Sequence, residues 1–176
     1  MLIGLIIACE IGFWIVLLSG LLVRYYFRQA KASTILLLCV PLLDIILLVA
    51  AGVDLYKGAV ADFSHGLAAA YLGFTLAFGP SVIQWADQRF AYKFANGPQP
   101  WRPPTEGRAL TLYEWKQWRK GLVACSIASA ILFGGILLVD DPEKSKELAE
   151  WIPSLGGLLI VWLFCWPLWY TVFPKK

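Results

Sequence analysis

The sequence predicts an all-α integral membrane protein, a bundle of five transmembrane helices with its N-terminus outside and its C-terminus in the cytoplasm. Three observations carry that reading. The 176 residues are 59% hydrophobic and 15% charged, whereas soluble domains run near half apolar and a quarter charged. Mean hydropathy is +0.66. The apolar residues fall into five blocks, each about 20 residues long, the length that crosses roughly 30 Å of hydrocarbon as a helix. Basic residues then alternate between the connecting segments. The same composition argues against a soluble enzyme, a nucleic-acid-binding module, a disordered tail and a secreted disulfide scaffold.

The first block covers 2–23 and stops at Arg24. Ile6-Ile7-Ala8-Cys9 loosely matches a lipoprotein cleavage box, but no basic residue precedes it, so the block reads as a span and not as a cleaved signal. The second covers 34–53 and the third 66–85. Gly66, Ala70, Gly73 and Ala77 put small residues on one face of the third. The fourth covers 121–139 and repeats the device with Gly121, Ala124, Cys125 and Ala128. Small faces let backbones approach closely in lipid, where packing replaces the hydrophobic effect. Contact within the chain is expected, with a dimer interface as the alternative. The fifth block covers 152–173. Pro41, Pro80 and Pro167 lie inside spans and are expected to kink them. The four cysteines, Cys9, Cys39, Cys125 and Cys165, sit singly inside apolar blocks and read as small buried hydrophobes. The whole of 1–176 is one transmembrane domain.

Loop charge sets the direction. Arg24, Arg28 and Lys31 follow the first block with no acid among them. Asp54, Lys57 and Asp62 follow the second, net negative. The segment 87–120 is rich in Arg and Lys, 140–150 is acidic, and the chain ends in Lys175-Lys176. Basic segments mark the cytoplasmic side.

The segment 87–120 is the one sizeable cytoplasmic loop. Asn96-Gly97-Pro98 and Pro103-Pro104 exclude helix from its middle. Thr111 and Glu114 have capping-box spacing. Leu112, Trp115 and Trp118 share a face with basic neighbours, which predicts an interfacial helix leading into the fourth span. Arg89, Trp101, Trp115, Trp118, Arg119 and Lys120 are the candidates for docking anionic headgroups or a protein partner. The partners implied are the lipid bilayer and a homo-oligomer or larger membrane complex, without nucleic acid. Asp140-Asp141-Pro142-Glu143 reads as a cap followed by a short helix to Trp151, not as a metal site.

Two carboxylates lie inside spans, Glu10 in the first and Asp44 in the second. A charge there costs roughly 3 kcal/mol or more, so such residues usually face the bundle interior and mark a pathway or site. Asp54, Asp62 and His65 gather at the outer mouth of the second and third spans. Glu10, Asp44, Asp54 and His65 are therefore expected to share one outward-opening acidic pocket. Trp14 lies one turn below Glu10, and Tyr71 and Thr75 supply hydroxyls. Such a pocket suits a proton, a cation, a small cationic or amphipathic ligand, or a quinone. The competing reading makes Glu10 and Asp44 helix glue, hydrogen-bonded to neighbouring polar groups. No residue is assigned as catalytic or as a metal ligand. GxSxG, HExxH, Walker and zinc motifs are absent from the sequence. A single histidine excludes haem held by two histidines, and no cofactor is assigned.

Pro41-Leu42-Leu43-Asp44, Asp54-Leu55, Gly58-Ala59, Asp62-Phe63-Ser64-His65-Gly66 and Trp85-Ala86-Asp87-Gln88-Arg89-Phe90 together resemble a small family of multi-pass membrane proteins of Gram-positive bacteria, the YmcC-like proteins. The resemblance is best over the first 95 residues or so and becomes one of hydropathy in the later spans. It implies a bacterial plasma membrane and this topology, and carries no reaction or site residue. The preferred function is a binding or transport protein with an outward acidic pocket. The rival is a non-catalytic accessory subunit docking through the cytoplasmic loop.

Overall fold

The computed structural model describes residues 2–27 and 29–175. Its elements are helical throughout: α1 Leu2–Tyr25, α2 Ala30–Tyr56, α3 Phe63–Phe94, α4 Gly107–Val139, α5 Pro142–Leu163, a π-helical turn Phe164–Leu168, and α6 Trp169–Val172. Helices satisfy their backbone groups internally, which lipid demands. Among the described residues, four stretches are long and apolar enough to cross a membrane, namely Ile7–Tyr25, Phe63–Phe94, Gly107–Val139 and Pro142–Val172, and α2 adds a shorter apolar stretch, Ile45–Tyr56.

The outer surface is apolar where a soluble protein would be polar. Ile7, Ile11, Ile15, Leu18 and Leu22 lie along one face of α1, and all are exposed. Phe133 and Leu137 on α4 and Ile160, Val161 and Phe164 beyond them do the same. Contiguous apolar exposure on that scale marks a surface that water does not contact. The chain is a membrane protein with transmembrane helices.

Small residues set the packing inside. α1 pairs with α2 and also lies on α3, while α3 pairs with α4 and α4 with α5. A β-carbon at Gly73 would stand 2.4 Å from the Ala124 carbonyl oxygen, so α3 and α4 cross nearly backbone to backbone there. The small faces of the third and fourth spans meet at Gly73, Ala124 and Ala128, whereas Gly66 and Gly121 pack against Trp151 and Trp162 of α5. Ala69, Ala70, Cys125, Ala128, Leu132, Leu148 and Leu155 form the core between α3, α4 and α5. Cys9, Leu47, Ala51 and Ala68 make a second core against α1 and α2. Cys9 and Cys125 are buried as expected, whereas Cys165 is exposed.

The helix ends depart from the sequence reading in informative ways. The cap at Asp141 holds: its carboxylate accepts from the Glu143 and Lys144 amides at 3.1 and 3.4 Å, with Pro142 at the first helical position. The helix it starts does not stop at Trp151 but runs to Leu163. Pro80 lies inside α3 without ending it. Pro167 lacks an N–H, and the helix loosens around it into the π-helical turn. α3 runs to Phe94 and α4 starts at Gly107, so only 95–106 separates them. At 1.5 Å per residue α3 and α4 are each about 50 Å long, more than the hydrocarbon core needs. Thr111 caps nothing. It lies inside α4, and its hydroxyl donates to the Tyr170 carbonyl at 3.1 Å.

Candidate functional site

The end of the bundle where α2 gives way to α3 is built by a helix cap. Asp62 precedes α3 in extended backbone, and its carboxylate accepts from the Ser64 amide at 2.9 Å and from the Ser64 hydroxyl. His65 sits at the third helical position and completes a capping box, its Nδ1 lying 3.3 Å from the Asp62 amide nitrogen. Nδ1 also lies 2.8 Å from Asp62 Oδ1. It cannot accept from the amide and donate to the carboxylate with one tautomer. The Ser64 hydroxyl, set against partial burial and helped by His65, holds the Asp62 carboxyl below its usual range. An ionised Asp62 only accepts, so the shorter contact puts the proton on Nδ1.

The other edge of the ring faces α2. His65 Nε2 stands 3.3 Å from Asp54 Oδ2, within ion-pair reach but off the line of a hydrogen bond. The imidazole is 3% exposed, whereas the Asp54 and Asp62 side chains are 53% and 62% exposed. A buried ring is thus flanked by two carboxylates that reach water. The carboxylates use opposite edges of the ring, so the three groups do not converge on one point, and no metal-binding cluster forms among the described residues. Below the ring lies a cavity of about 220 Å³ walled by Ala51, Gly52, Ala69, Leu132 and Gly135. The loop that carries Asp62 is tied to α5 by the Ala61 amide, which donates to the Lys144 carbonyl at 2.9 Å.

Asp54 and His65 are therefore brought together, with Asp62 on the opposite edge of the ring. Trp14, Tyr71 and Thr75 come together elsewhere, in a shallow cavity of about 260 Å³ between α1 and α3. That cavity shares no lining residue with the one beneath His65. Tyr71 and His65 lie on different faces of α3, six residues apart, which separates them. The side chains of Glu10 and Asp44 lie outside the described residues.

The opposite end of the bundle holds the docking candidates. The Trp115 indole donates to Thr171 Oγ1 at 3.1 Å and that of Trp118 to the Leu159 carbonyl at 3.0 Å. Both rings clamp α4 to the last span. Trp101 is 59% exposed, and the Arg89 guanidinium lies 4.3 Å over the Trp85 ring. A tie the sequence reading passed over joins α1 to α3. Asp87 accepts from the Tyr25 hydroxyl at 2.9 Å and pairs with Arg24 at 3.4 Å. The signal was available, since Arg24 and Asp87 end spans that run in the same direction.

Among known proteins, the chain is 35% identical over 179 residues to an uncharacterized membrane protein, YmcC, of Bacillus subtilis strain 168, an alignment covering 98% of this chain and 92% of that one. No family model matches the chain. No solved structure matches it either.

Proposed function

Since the chain belongs to the family of the Bacillus subtilis membrane protein YmcC, we propose that it is a five-span protein of a bacterial plasma membrane, N-terminus outside, whose outward acidic site binds or moves a proton, an ion or a small cationic ligand. The observation that carries this is the buried His65 ring held between the water-reaching carboxylates of Asp54 and Asp62. An imidazole takes a proton on one nitrogen and gives one up from the other, the chemistry a proton relay needs. The ring passes protons between its two nitrogens, one turned to each carboxylate. Glu10 and Asp44, at mid-bilayer positions in α1 and α2, are assigned the deeper protonatable steps. Trp14 and Tyr71 line a separate cavity between α1 and α3, which is assigned to those deeper steps.

The experiment is proton flux into liposomes carrying the purified protein and an internal pH dye. Flux above that of empty liposomes is expected, cut about tenfold or more in Glu10→Gln, Asp44→Asn and His65→Asn, as loss of one relay group in a barrier step predicts. Flux equal to empty liposomes, or unaltered in all three variants, overturns the reading. A cysteine introduced beside Lys144 is expected to react with an impermeant label on intact cells, and reaction only after lysis overturns the orientation.

The rival reading is an accessory subunit docked at the opposite, basic end. The exposed Trp101 and the Arg89–Trp85 stack favour it. It predicts normal growth phenotypes in the Glu10 and Asp44 variants and loss of a co-purifying complex when Trp101 becomes Ala.

A further inference from the structure

The basic end of the bundle holds a two-chambered cavity that the proton-site reading does not use. The polar chamber, about 590 Å³, lies between the second half of α3 and the first turns of α4. Lys116, Lys120, Ser81, Gln84 and Gln88 line it, and no carboxylate does. Lys120 Nζ donates to the Ser81 hydroxyl and stands 6.0 Å over the Phe78 ring. Among the described residues neither Lys116 nor Lys120 is in an ion pair. The nearby acid Asp87 is committed to Arg24 and Tyr25. The second chamber, about 740 Å³, adjoins the first, and Tyr113 and Gln117 line both. Phe74, Leu158, Val161, Trp162 and Trp166 make it apolar, and Glu114 is its one acid.

The loop between α3 and α4 is pinned beside the polar chamber. The Trp101 amide donates to Gln88 Oε1 at 3.0 Å, and the Trp101 and Tyr113 rings lie 5.7 Å apart. Depth matters too. Ser81 is about 27 Å along the axis from Phe63, at 1.5 Å per residue. With Phe63 at one face of a hydrocarbon core about 30 Å thick, Ser81 falls just inside the other face, and Gln84 and Gln88, about 32 and 38 Å along, reach the headgroup level of that leaflet. Two uncompensated ammonium groups, a set of neutral donors and an adjoining aromatic trough at that depth match one kind of molecule, with an anionic head and an acyl tail.

We propose that this cavity binds one anionic glycerophospholipid of the adjoining leaflet, its phosphate headgroup held by Lys116 and Lys120 and an acyl chain lying in the aromatic chamber. The site does not depend on His65 and stands or falls separately from the proton reading.

The test is native mass spectrometry of protein extracted from nanodiscs of phosphatidylglycerol and phosphatidylcholine in equal parts. One phosphatidylglycerol should stay bound through mild delipidation, enriched about tenfold over phosphatidylcholine, a difference of about 1.4 kcal/mol, and Lys116→Gln with Lys120→Gln should remove that enrichment, since the charge-assisted contacts to the phosphate are lost. Lys144→Gln with Lys146→Gln, at the far end, should leave it unchanged. Equal retention of both lipids, or enrichment that survives the Lys116 and Lys120 changes, overturns the proposal. So does displacement by millimolar inorganic phosphate, which would assign the site to a free anion. If the double variant fails to fold, Ser81→Ala and Lys116→Gln singly must each weaken the enrichment, and failure of both to do so also overturns it.

Discussion

His65 Nε2 lies 3.3 Å from Asp54 Oδ2, and this contact joins the third helix to the end of the second through a ring that is 3% exposed. Removing the ring takes away a cap partner and a packed side chain together. His65→Ala should destabilise the protein by about 2–4 kcal/mol, the usual range for a cavity plus a broken buried polar contact. Asp54→Asn should cost under about 1 kcal/mol, because its carboxylate is mostly solvated. Unfolding in detergent followed by far-UV circular dichroism separates the two. Equal costs would mean that the Asp54 contact carries the whole effect of the ring.

Asp62 gives the site an acid limit. Its carboxyl is held below the usual range chiefly by the Ser64 hydroxyl, with His65 adding to it. A depressed folded pKa contributes stability above the unfolded value, 3.8 for this group, and that stability is lost as pH falls through the lower folded value. The wild type should therefore lose stability on acidification below about pH 4 more steeply than Asp62→Asn, which keeps the cap without the charge. Asp62→Ala should cost about 1 kcal/mol at neutral pH. Paired acid titrations at fixed salt check this. Identical acid slopes in wild type and Asp62→Asn would remove Asp62 from the acid response.

How much of this was legible in sequence follows from the range of each interaction. The apolar blocks, the Asp141-Pro142 cap and the small faces are local patterns, and they predict elements that the fold contains. Asp62 and His65 were visible as neighbours three apart, but a capping box usually ends in Glu or Gln, so the histidine read as a mouth residue and its burial went unseen. Helix ends were less legible. Hydropathy falls away past Trp85 and before Gly121, yet the helices continue, because amphipathic turns need no lipid to remain helical. Trp115 and Trp118 have the spacing of an interfacial face. Their partners, Thr171 and Leu159, are 56 and 41 residues away, and no local pattern announces them.

Gly66 and Gly73 should behave differently from the glycines facing open space. A β-carbon at Gly66 would stand 2.1 Å from the Trp151 indole nitrogen, a side-chain obstacle, while at Gly73 the obstacle is the α4 backbone. Gly66→Ala should cost about 1–3 kcal/mol and be largely rescued by Trp151→Ala. Gly73→Ala should cost at least as much, with no single-residue rescue. Gly156→Ala meets nothing within 4 Å and should be neutral or stabilising by up to about 1 kcal/mol. Thermal unfolding of the set ranks them. Rescue of Gly73→Ala by a side-chain truncation would show that the two helix backbones can separate there.

Trp118 and Trp101 divide the aromatic residues of the basic end into clamp and surface. The Trp118 indole N–H ends on the Leu159 carbonyl, a donor and an acceptor in partly buried surroundings. Trp118→Phe keeps the ring face but removes the indole donor and its hydrogen bond, so a loss of about 1 kcal/mol is expected. Trp101 is held through its backbone amide, which a side-chain change leaves intact, and its ring is mostly exposed. Trp101→Phe should therefore stay within about 0.5 kcal/mol of wild type in stability, as surface substitutions usually do. If Trp118 served only as a membrane anchor, Trp118→Phe would instead leave detergent stability unchanged and weaken retention in the bilayer. Unfolding midpoints measured in detergent, where no bilayer is present to be anchored to, decide between clamp and anchor.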